Sequence, residues 1–460
     1  MFSEVNRERH RENKAPVRQN VAQQQVLVPF RIDDAHAREL ARVSDVLDTL
    51  PQVAAMVVRD VAAQRSRQCG RPGMSGEQVL RCLVLMQMTK ITYRQLAFHL
   101  RDSSTYRSFC RIGVADAPPR RSTLHENIKA VSASTLEKIH RAIVKKAVAQ
   151  GIDDASTVRV DSTVVKSAIH HPNDSSLLYD GVRALTNCMD LAATLVSVGY
   201  SNHRKRAKRR ALAIANAKSM EERVPLYRDL LQVSSWVLDY ADGVVVALGR
   251  SKSPKATRII AELTRLLPLV RRVFDQTQRR VLGDESVPSD DKVVSVFEPH
   301  SDIIVKDNRE TLYGHKVFVA TGTSGLLLDF EVVRGNPSDT SRAKPVLQRI
   351  QALAGKVPAE ASFDGGFASQ DNLKALKKMG VGDVAFSKRK GLRVEDMTRD
   401  KATYRRLRNF RAGVEATISW LKRSFGLDRC TWSGLASFEA YCWASVVSAN
   451  LLIVARLSTG

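Results

Sequence analysis

The chain has 460 residues, and its 72 Lys and Arg against 48 Asp and Glu give a formal net charge of +24 and a pI of about 10.0. A chain of this length is too long to fold around a single hydrophobic core, so two or three domains are expected. The large excess of basic residues indicates a polyanionic partner. The six cysteines lack the spacing of a zinc site or a disulfide framework, which argues against both classes.

The chain gives no indication of a membrane protein. Its longest apolar stretch, Trp443–Ala455, is interrupted by serines and Asn450 and is shorter than the roughly 20 residues that span a bilayer. A buried C-terminal helix is the better interpretation. The N-terminal residues lack the apolar core of a signal peptide, so a cytoplasmic location is expected. Residues 1–30 are polar and mixed in charge, which predicts a disordered tail.

Residues 31–151 have the apolar spacing of an all-helical domain. Four motifs of the form Ser/Thr-x-x-Glu/Gln, beginning at Ser75, Thr92, Thr123 and Ser134, each predict the start of a helix. Short helices with many basic side chains are typical of a helix-turn-helix-like DNA-binding domain. A helical packing or dimerisation domain with a solvated basic face fits the same pattern.

The first strand pattern is the β-branched run Thr157–Val165. Alternation places Arg159, Asp161 and Thr163 on the same face of this strand. A carboxylate in the middle of a strand is unfavourable unless it is paired or binds a cation. Asp161 is therefore a candidate functional residue.

Long helical patterns follow this strand and predict a helical insertion at about 174–290. The expected helices are Ser175–Leu195, Leu212–Asp239 and Pro254–Gln278. A dense run of cations separates the first two. Such a run is often only a solvated or localisation-type patch, but in a protein that processes DNA it is expected to contact phosphates. The cations of this run are Arg204, Lys205, Arg206, Lys208, Arg209 and Arg210.

Strand and helix patterns alternate after the insertion, which indicates a mixed α/β fold. Two strands joined by a glycine-containing turn predict a hairpin. The expected elements are strands Tyr313–Thr321 and Leu326–Val333, helix Ser341–Leu353, a strand beginning at Glu360, helix Gln370–Met379 and strand Asp383–Ser387.

A second candidate acid, Asp364, stands where the strand at Glu360 ends. Gly365 and Gly366 follow it, so the backbone can turn sharply and a ligand can approach closely. Open α/β sheets bind their ligands at the carboxyl ends of their strands. Asp339, in a Gly-Asn-Pro-Ser-Asp segment, is most simply a turn or cap residue.

The stretch from Tyr404 to Gly426 predicts a helix with two distinct stripes. Its charged residues fall within an arc of roughly 60° on a helical wheel. An amphipathic helix with an Arg411–Glu415 ion pair would show the same pattern. The charged stripe comprises Arg408, Arg411, Glu415 and Lys422, and the apolar one comprises Val414, Ile418, Leu421 and Phe425.

Three motifs together resemble the Asp-Asp-Glu triad of bacterial insertion-sequence transposases. They are VRVDST at Asp161, ASFDGGF at Asp364 and NFRAGVEATISWLKR at Glu415. The last is similar to the family's Tyr-x2-Arg-x3-Glu-x6-Lys signature, with Arg408 at the tyrosine position. The resemblance implies an α/β ribonuclease H-like mixed sheet core over 155–460, with an all-helical N-terminal domain and the helical insertion after the first core strand.

The resemblance also implies a DDE transposase that binds element ends, cleaves DNA and transfers the strand into target DNA. Asp161, Asp364 and Glu415 are then the catalytic residues and the ligands of two Mg2+ ions, for which Mn2+ can substitute, because hard cations prefer carboxylate oxygens. Residues expected to contact DNA are Arg408, Arg411, Lys422, the loop Lys388, Arg389 and Lys390, and the cation run of the insertion. His170 and His171 could contact DNA or position water, or could be only polar surface residues.

The expected partners are the terminal repeats of the element and target DNA, with no membrane contact. At least a homodimer is expected when two ends are paired, and the protein would associate with the nucleoid when bound to DNA. Three other functions remain open on sequence: a catalytically inactive or derived DNA-binding protein, a metal-dependent nuclease that does not join strands, and a basic nucleoid protein.

Overall fold

The computed structural model describes residues 34–63, 73–113, 116–251, 253–306 and 310–458. The expected disordered tail at residues 1–30 lies outside the described residues. The described N-terminal part is helical, and its helices are α1 (Ala35–Asp48), α2 (Pro51–Ala63), α3 (Gly76–Thr89), α4 (Tyr93–Asp102), α5 (Ser104–Phe109), α6 (Arg121–Ala130) and α7 (Ala133–Ala149).

Two of the four predicted helix starts in this region are confirmed and two are wrong. Ser75 and Thr92 form full capping boxes at the starts of α3 and α4. Thr123 instead lies inside α6, which begins at Arg121. Helix α7 starts two residues before the prediction, because the hydroxyl of Ser132, rather than that of Ser134, caps the helix by accepting the Thr135 N–H.

The sheet has six strands in the order β2-β3-β1-β5-β6, with β4 also paired to β3. Strand β1 runs antiparallel to β3 and parallel to β5, so it lies at the centre of the sheet. The predicted β3–β4 hairpin is confirmed. The strands are β1 (Thr157–Lys166), β2 (Asp302–Lys306), β3 (Glu310–Thr321), β4 (Leu327–Val333), β5 (Glu360–Phe363) and β6 (Asp383–Phe386).

Strand β2 was not predicted from the sequence. Its run is five residues long and follows a segment rich in prolines and acids. The strand forms because β3 offers the N-terminal part of its edge, where Ile304 pairs with Leu312. This pairing is set by tertiary structure, which local strand preference does not report.

The insertion after β1 is helical, as predicted, but one of its helix boundaries is wrong. The expected helix Leu212–Asp239 is two helices that part at Ala217–Ser219, where Ser219 caps the second one. The cation run therefore lies in a helix and not between two helices. The insertion helices are α8 (Asp174–Ala192), α9 (Arg204–Asn216), α10 (Met220–Leu248) and α11 (Pro254–Thr277), and they enclose a hydrophobic core of their own.

The helices after β4 complete the fold around the sheet. Helix α16 is mostly buried, in agreement with the predicted C-terminal core helix, although its length and composition alone would allow it to cross a membrane. Its polar Asn450 accepts the backbone N–H of Leu327 at 3.0 Å and donates to the carbonyl of the same residue at 2.9 Å. These helices are α12 (Ala343–Ala354), α13 (Gln370–Lys378), α14 (Val394–Met397), α15 (Lys401–Phe425) and α16 (Leu435–Leu457).

The N-terminal helices and the sheet share one hydrophobic core. Helix α16 is the bridge, because it packs against α1, α3 and α7 on one side and against β4 and α15 on the other. His140 of α7 reaches the carbonyl of Leu327 at 2.9 Å, beside Asn450. The sequence boundary near residue 151 therefore marks a change of element type and not a gap between two cores.

Candidate active site

The parallel pairing of β1 with β5 explains why two acids 203 positions apart become neighbours. Val160 pairs with Phe363; Asp161 is the next residue of β1, and Asp364 is the first residue after β5. Adjacent strands lie about 4.8 Å apart, so the two carboxylates emerge side by side at the end of the sheet where β5 stops, although β1 itself continues to Lys166. Asp161 is buried, whereas the side chain of Asp364 is 38% exposed.

Three hydrogen bonds attach α15 to this end of the sheet. Arg159 of β1 donates to the carbonyl of Phe410 at 3.1 Å, and the Ser362 hydroxyl of β5 donates to the carbonyl of Leu407 at 2.8 Å. In the other direction, the Tyr404 hydroxyl donates to the carbonyl of Phe386 in β6 at 2.9 Å. Each of the three strands thus fixes one turn of the helix.

The Arg159 contact requires the glycine at position 413. The guanidinium lies over the ring of Phe410, 4.7 Å from its centroid, and donates to the Thr321 hydroxyl at 2.7 Å. A Cβ at Gly413 would lie 1.9 Å from Nη1 of Arg159. Only glycine lets the helix approach β1 this closely.

The Arg411 guanidinium joins all three candidate acids. Its Nη2 lies 2.8 Å from Oδ2 of Asp161 and 3.0 Å from Oδ1 of Asp364, and its Nη1 lies 2.7 Å from Oε1 of Glu415. The Arg411–Glu415 pair expected for a simple amphipathic helix is therefore present, but the same cation also bridges to two strands. Acids from β1, from the end of β5 and from α15 meet at one point.

The two aspartates differ in how readily they ionise. Burial raises the pKa of Asp161 to about 6, although the Arg411 charge and the Ser162 amide oppose this shift. Burial also acts to raise the pKa of Asp364, but a 2.8 Å hydrogen bond from Ser387, the Gly365 amide and the Arg411 charge hold that pKa below its usual value. At neutral pH, Asp364 is the more firmly ionised of the two.

The charged stripe and the apolar stripe of α15 both form as predicted. Val414, Leu421 and Phe425 are buried, and Ile418 is partly buried against the same core. On the charged stripe, Arg408 is exposed, Arg411 is mostly buried, and Glu415 is 63% exposed. Lys422 is half-buried three turns after Arg411.

A basic loop borders the acids. The side chain of Lys388 packs so closely over Gly365 that a Cβ there would lie 2.7 Å from it. Lys388, Arg389 and Lys390 are all exposed. An open cavity of about 530 Å3 lies between this loop and α15, and its lining includes the cations Lys388, Arg389, Lys401, Arg405 and Arg408.

The cation run of the insertion is only partly available to a ligand. Arg206 and Arg210 both pair with Asp229 of α10, and Arg204 pairs with Asp190 at 2.6 Å. The exposed cations of the run are Lys205, Lys208 and Arg209.

The two histidines after β1 lie apart from the three acids. His170 contacts the Ser176 hydroxyl at 3.1 Å and lies 3.6 Å from Asp180, both in α8. His171 meets the ring of Tyr313 edge-on, with the ring centroids 5.5 Å apart. Both side chains are exposed, and their contacts are with α8 and β3.

Neither Arg159 nor Ser387 was predicted from the sequence to belong to the site. Both act through contacts between residues that are far apart in the chain, so neither belongs to a local motif. The one available signal was Gly413, a glycine inside a long helix, which is unfavourable unless the backbone must approach another group.

Two family models match the chain. One, described as a transposase DDE domain, covers residues 287–451, and the other, described as a transposase domain (DUF772), covers residues 30–130. Asp364 and Glu415 lie inside the first match, whereas Asp161 and the helical insertion lie between the two. No curated protein and no solved structure matches the chain.

Replacing Gly413 with Ala tests the attachment of α15. The added Cβ displaces Arg159, so we expect Gly413→Ala to lower the free energy of unfolding by about 1–3 kcal/mol, since a half-buried cation loses its hydrogen bonds. Urea unfolding measures this change.

Gly243→Ala is the matched control. This glycine is exposed in α10 and has no atom within 4 Å of an added Cβ, so alanine should stabilise the protein by up to about 1 kcal/mol. A Gly413→Ala protein stabilised as much as Gly243→Ala would contradict the role given to the Arg159 contact.

Proposed function

Because this chain is a DDE transposase of the insertion-sequence type, we propose that Asp161, Asp364 and Glu415 are its catalytic residues, and that they cleave DNA at the element ends and join those ends to target DNA. The observation that carries this proposal is the convergence on Arg411. Acids from three separate elements lie within 3.0 Å of one guanidinium.

DDE transposase domains use divalent metal ions, and the three acids offer the oxygen ligands that Mg2+ and Mn2+ prefer. A pair of such ions would supply an activated water or 3′-hydroxyl and would stabilise the leaving oxygen of the phosphodiester. Within the described part of the chain, no three His, Cys, Asp or Glu side chains are already arranged around a common metal position. The chemistry of the donors fits, but Arg411 lies at the point that they share.

Each acid has a distinct task in this proposal. Asp364 offers an ionised carboxylate that Ser387 and the glycine turn hold in one orientation. Asp161 is fixed on the central strand, where its Oδ1 accepts the Ser162 N–H at 2.7 Å. Glu415 is the most exposed of the three, so its side chain can close on the other two from the helix.

The basic surface around the acids suits the DNA backbone. The loop Lys388–Lys390 and the exposed Arg408 border one cavity that carries five cations, and Lys388 packs against Gly365, the residue after Asp364. Phosphate neutralisation by such side chains supplies affinity that does not depend on sequence. In the insertion, Lys205, Lys208 and Arg209 are the members of the cation run that face solvent and could extend this path.

The remaining parts of the proposal follow from the reaction. The helices between residues 31 and 151 would recognise the terminal repeats, and two copies at least would hold two ends together. The protein would act in the cytoplasm on nucleoid DNA.

Nicking of a supercoiled plasmid that carries the element's own ends tests the assignment. We expect nicking at the ends with Mg2+ or Mn2+, none with EDTA, and a loss of at least about 1000-fold in Asp364→Asn and Glu415→Gln, because each variant loses a charged metal ligand. Both variants should still bind the ends in a gel-shift assay. Glu137→Gln is the control, since it removes the acid of another i,i+4 pair with arginine, on α7.

The other outcomes identify the alternatives. End binding without nicking under any metal would contradict the proposal and favour a DNA-binding protein without catalysis. Nicking without the joining of pre-cut ends would indicate a nuclease. Full nicking activity in either acid variant would remove that acid from the catalytic set.

A further inference from the structure

We infer that Arg411 is the counter-ion of the three acids when DNA is absent. Bound DNA must draw the Arg411 side chain away before the acids can bind metal. Metal binding and DNA binding would then be coupled through one side chain. This inference rests on the proposed function, and it adds the way in which the same site is regulated.

The first support is that Arg411 and a bridging metal ion exclude each other. Nη2 of Arg411 lies 2.8 Å from the nearest oxygen of Asp161 and 3.0 Å from that of Asp364. A divalent cation held by the same two oxygens would need the space between them, which Nη2 of Arg411 occupies. Two positive groups cannot share that space, so the guanidinium must leave.

The second support is that Arg411 is incompletely satisfied where it lies. Its side chain is 15% exposed, and its Nε is buried with no hydrogen-bond partner in the described structure. A buried donor without a partner is unfavourable. The three ion pairs hold the side chain in place, but part of their stabilisation is offset, which makes the position displaceable.

The third support is the position of Arg411 on α15. Arg408 lies one turn before it and is exposed beside the cationic cavity. A phosphate bound there would offer Arg411 the bidentate partner that a guanidinium prefers. The incoming backbone would thus remove the positive charge from the acids at the moment that a metal-binding site is needed.

Mn2+ binding, followed by electron paramagnetic resonance of the free ion, tests this inference without an activity assay. Wild-type protein should bind Mn2+ at least about tenfold more tightly with end DNA than without it. Arg411→Ala should bind Mn2+ at least about tenfold more tightly than wild type when DNA is absent, because the competing cation is gone. In this variant, DNA should give little further gain.

Linkage supplies a second readout on the same proteins. If DNA tightens Mn2+ binding in wild type, Mn2+ must tighten DNA binding by the same factor, and this coupling should be lost in Arg411→Ala. Arg406→Ala is the matched control, because Arg406 lies on the same helix and pairs with Glu360 instead. Arg411→Gln, which keeps most of the side-chain volume, repeats the test if the alanine variant unfolds.

Each outcome has one meaning. The inference would be overturned if, without DNA, Arg411→Ala and Arg411→Gln bind Mn2+ no more tightly than wild type does. It would also be overturned if wild type binds Mn2+ equally well with and without DNA. Arg411 would then be a fixed structural bridge. Absence of Mn2+ binding in wild type with DNA would instead reject the proposed metal site.

A separate observation concerns Asp339, to which the structure assigns a positioning role. Its Oδ2 lies 3.3 Å from the Ser162 hydroxyl, and its Oδ1 lies 3.1 Å from Nζ of Lys316. A Cβ at Gly366 would lie 2.6 Å from Oδ2, so the carboxylate rests directly on the turn that follows Asp364. Asp339 is therefore more than the turn residue that sequence suggests.

The Asp339 carboxylate links the segments that carry the two aspartates. Ser162 follows Asp161, and Gly366 contributes an amide that helps to hold Asp364. Lys316 fixes the carboxylate from β3 and also donates to the carbonyl of Pro337 at 2.9 Å. Asp339 would thereby set the distance between two metal ligands that it does not touch.

Mn2+ affinity of the DNA complex tests this role. Asp339→Asn and Lys316→Met should each weaken Mn2+ binding by about 10-fold or more, as losses of groups that orient metal ligands do. The double variant should be no weaker than either single one. The control is Asp329→Asn, which breaks the ion pair with Arg349 elsewhere on the sheet and should lower the melting temperature without changing Mn2+ affinity.

If Asp339→Asn leaves the Mn2+ affinity unchanged, or if Asp329→Asn lowers the Mn2+ affinity by the same factor, then Asp339 only stabilises the fold. If the wild-type DNA complex binds no Mn2+, the result rejects the proposed metal site itself.

Discussion

Carboxylates that meet at one point repel each other, and a cation among them offsets that repulsion. In this protein Arg411 is that cation, and its guanidinium contacts Asp161, Asp364 and Glu415 within 3.0 Å. Two parallel strands bring the aspartates to one end of the sheet, and a single helix brings both the glutamate and the arginine.

The precision of the site depends on how that helix is attached. Arg159 of β1 and Ser362 of β5 donate hydrogen bonds to backbone carbonyls of α15, and Tyr404 of α15 donates one to a carbonyl of β6. Three successive turns of the helix are thus each bonded to a different strand. Gly413 lowers the local helix preference, but its lack of a side chain allows α15 to approach Arg159 of β1. Rigid elements thus hold the three acids in place, as a catalytic site would require.

The sequence predicted the parts of the structure that local patterns encode. The β-branched run at Asp161, the two glycines after Asp364 and the wheel of α15 identified all three acids and their elements. Helix boundaries were less reliable, and the Ser-x-x-Glu signal at Ser219 that divides α9 from α10 was overlooked. Ion pairs between residues far apart in the sequence could not be predicted from local patterns. Half of the cation run is paired with Asp190 and Asp229 in the structure. The link between Ser162, Asp339 and Gly366 joins segments far apart in the chain, and no local pattern predicts it.

The most direct test of the account is anomalous diffraction from Mn2+ in crystals of the protein bound to its element ends. The account predicts Mn2+ peaks about 2.0–2.5 Å from carboxylate oxygens of Asp161, Asp364 and Glu415, with the Arg411 side chain turned away onto a DNA phosphate. Mn2+ bound by other residues, or Arg411 still bridging the three acids in the presence of DNA and metal, would contradict it.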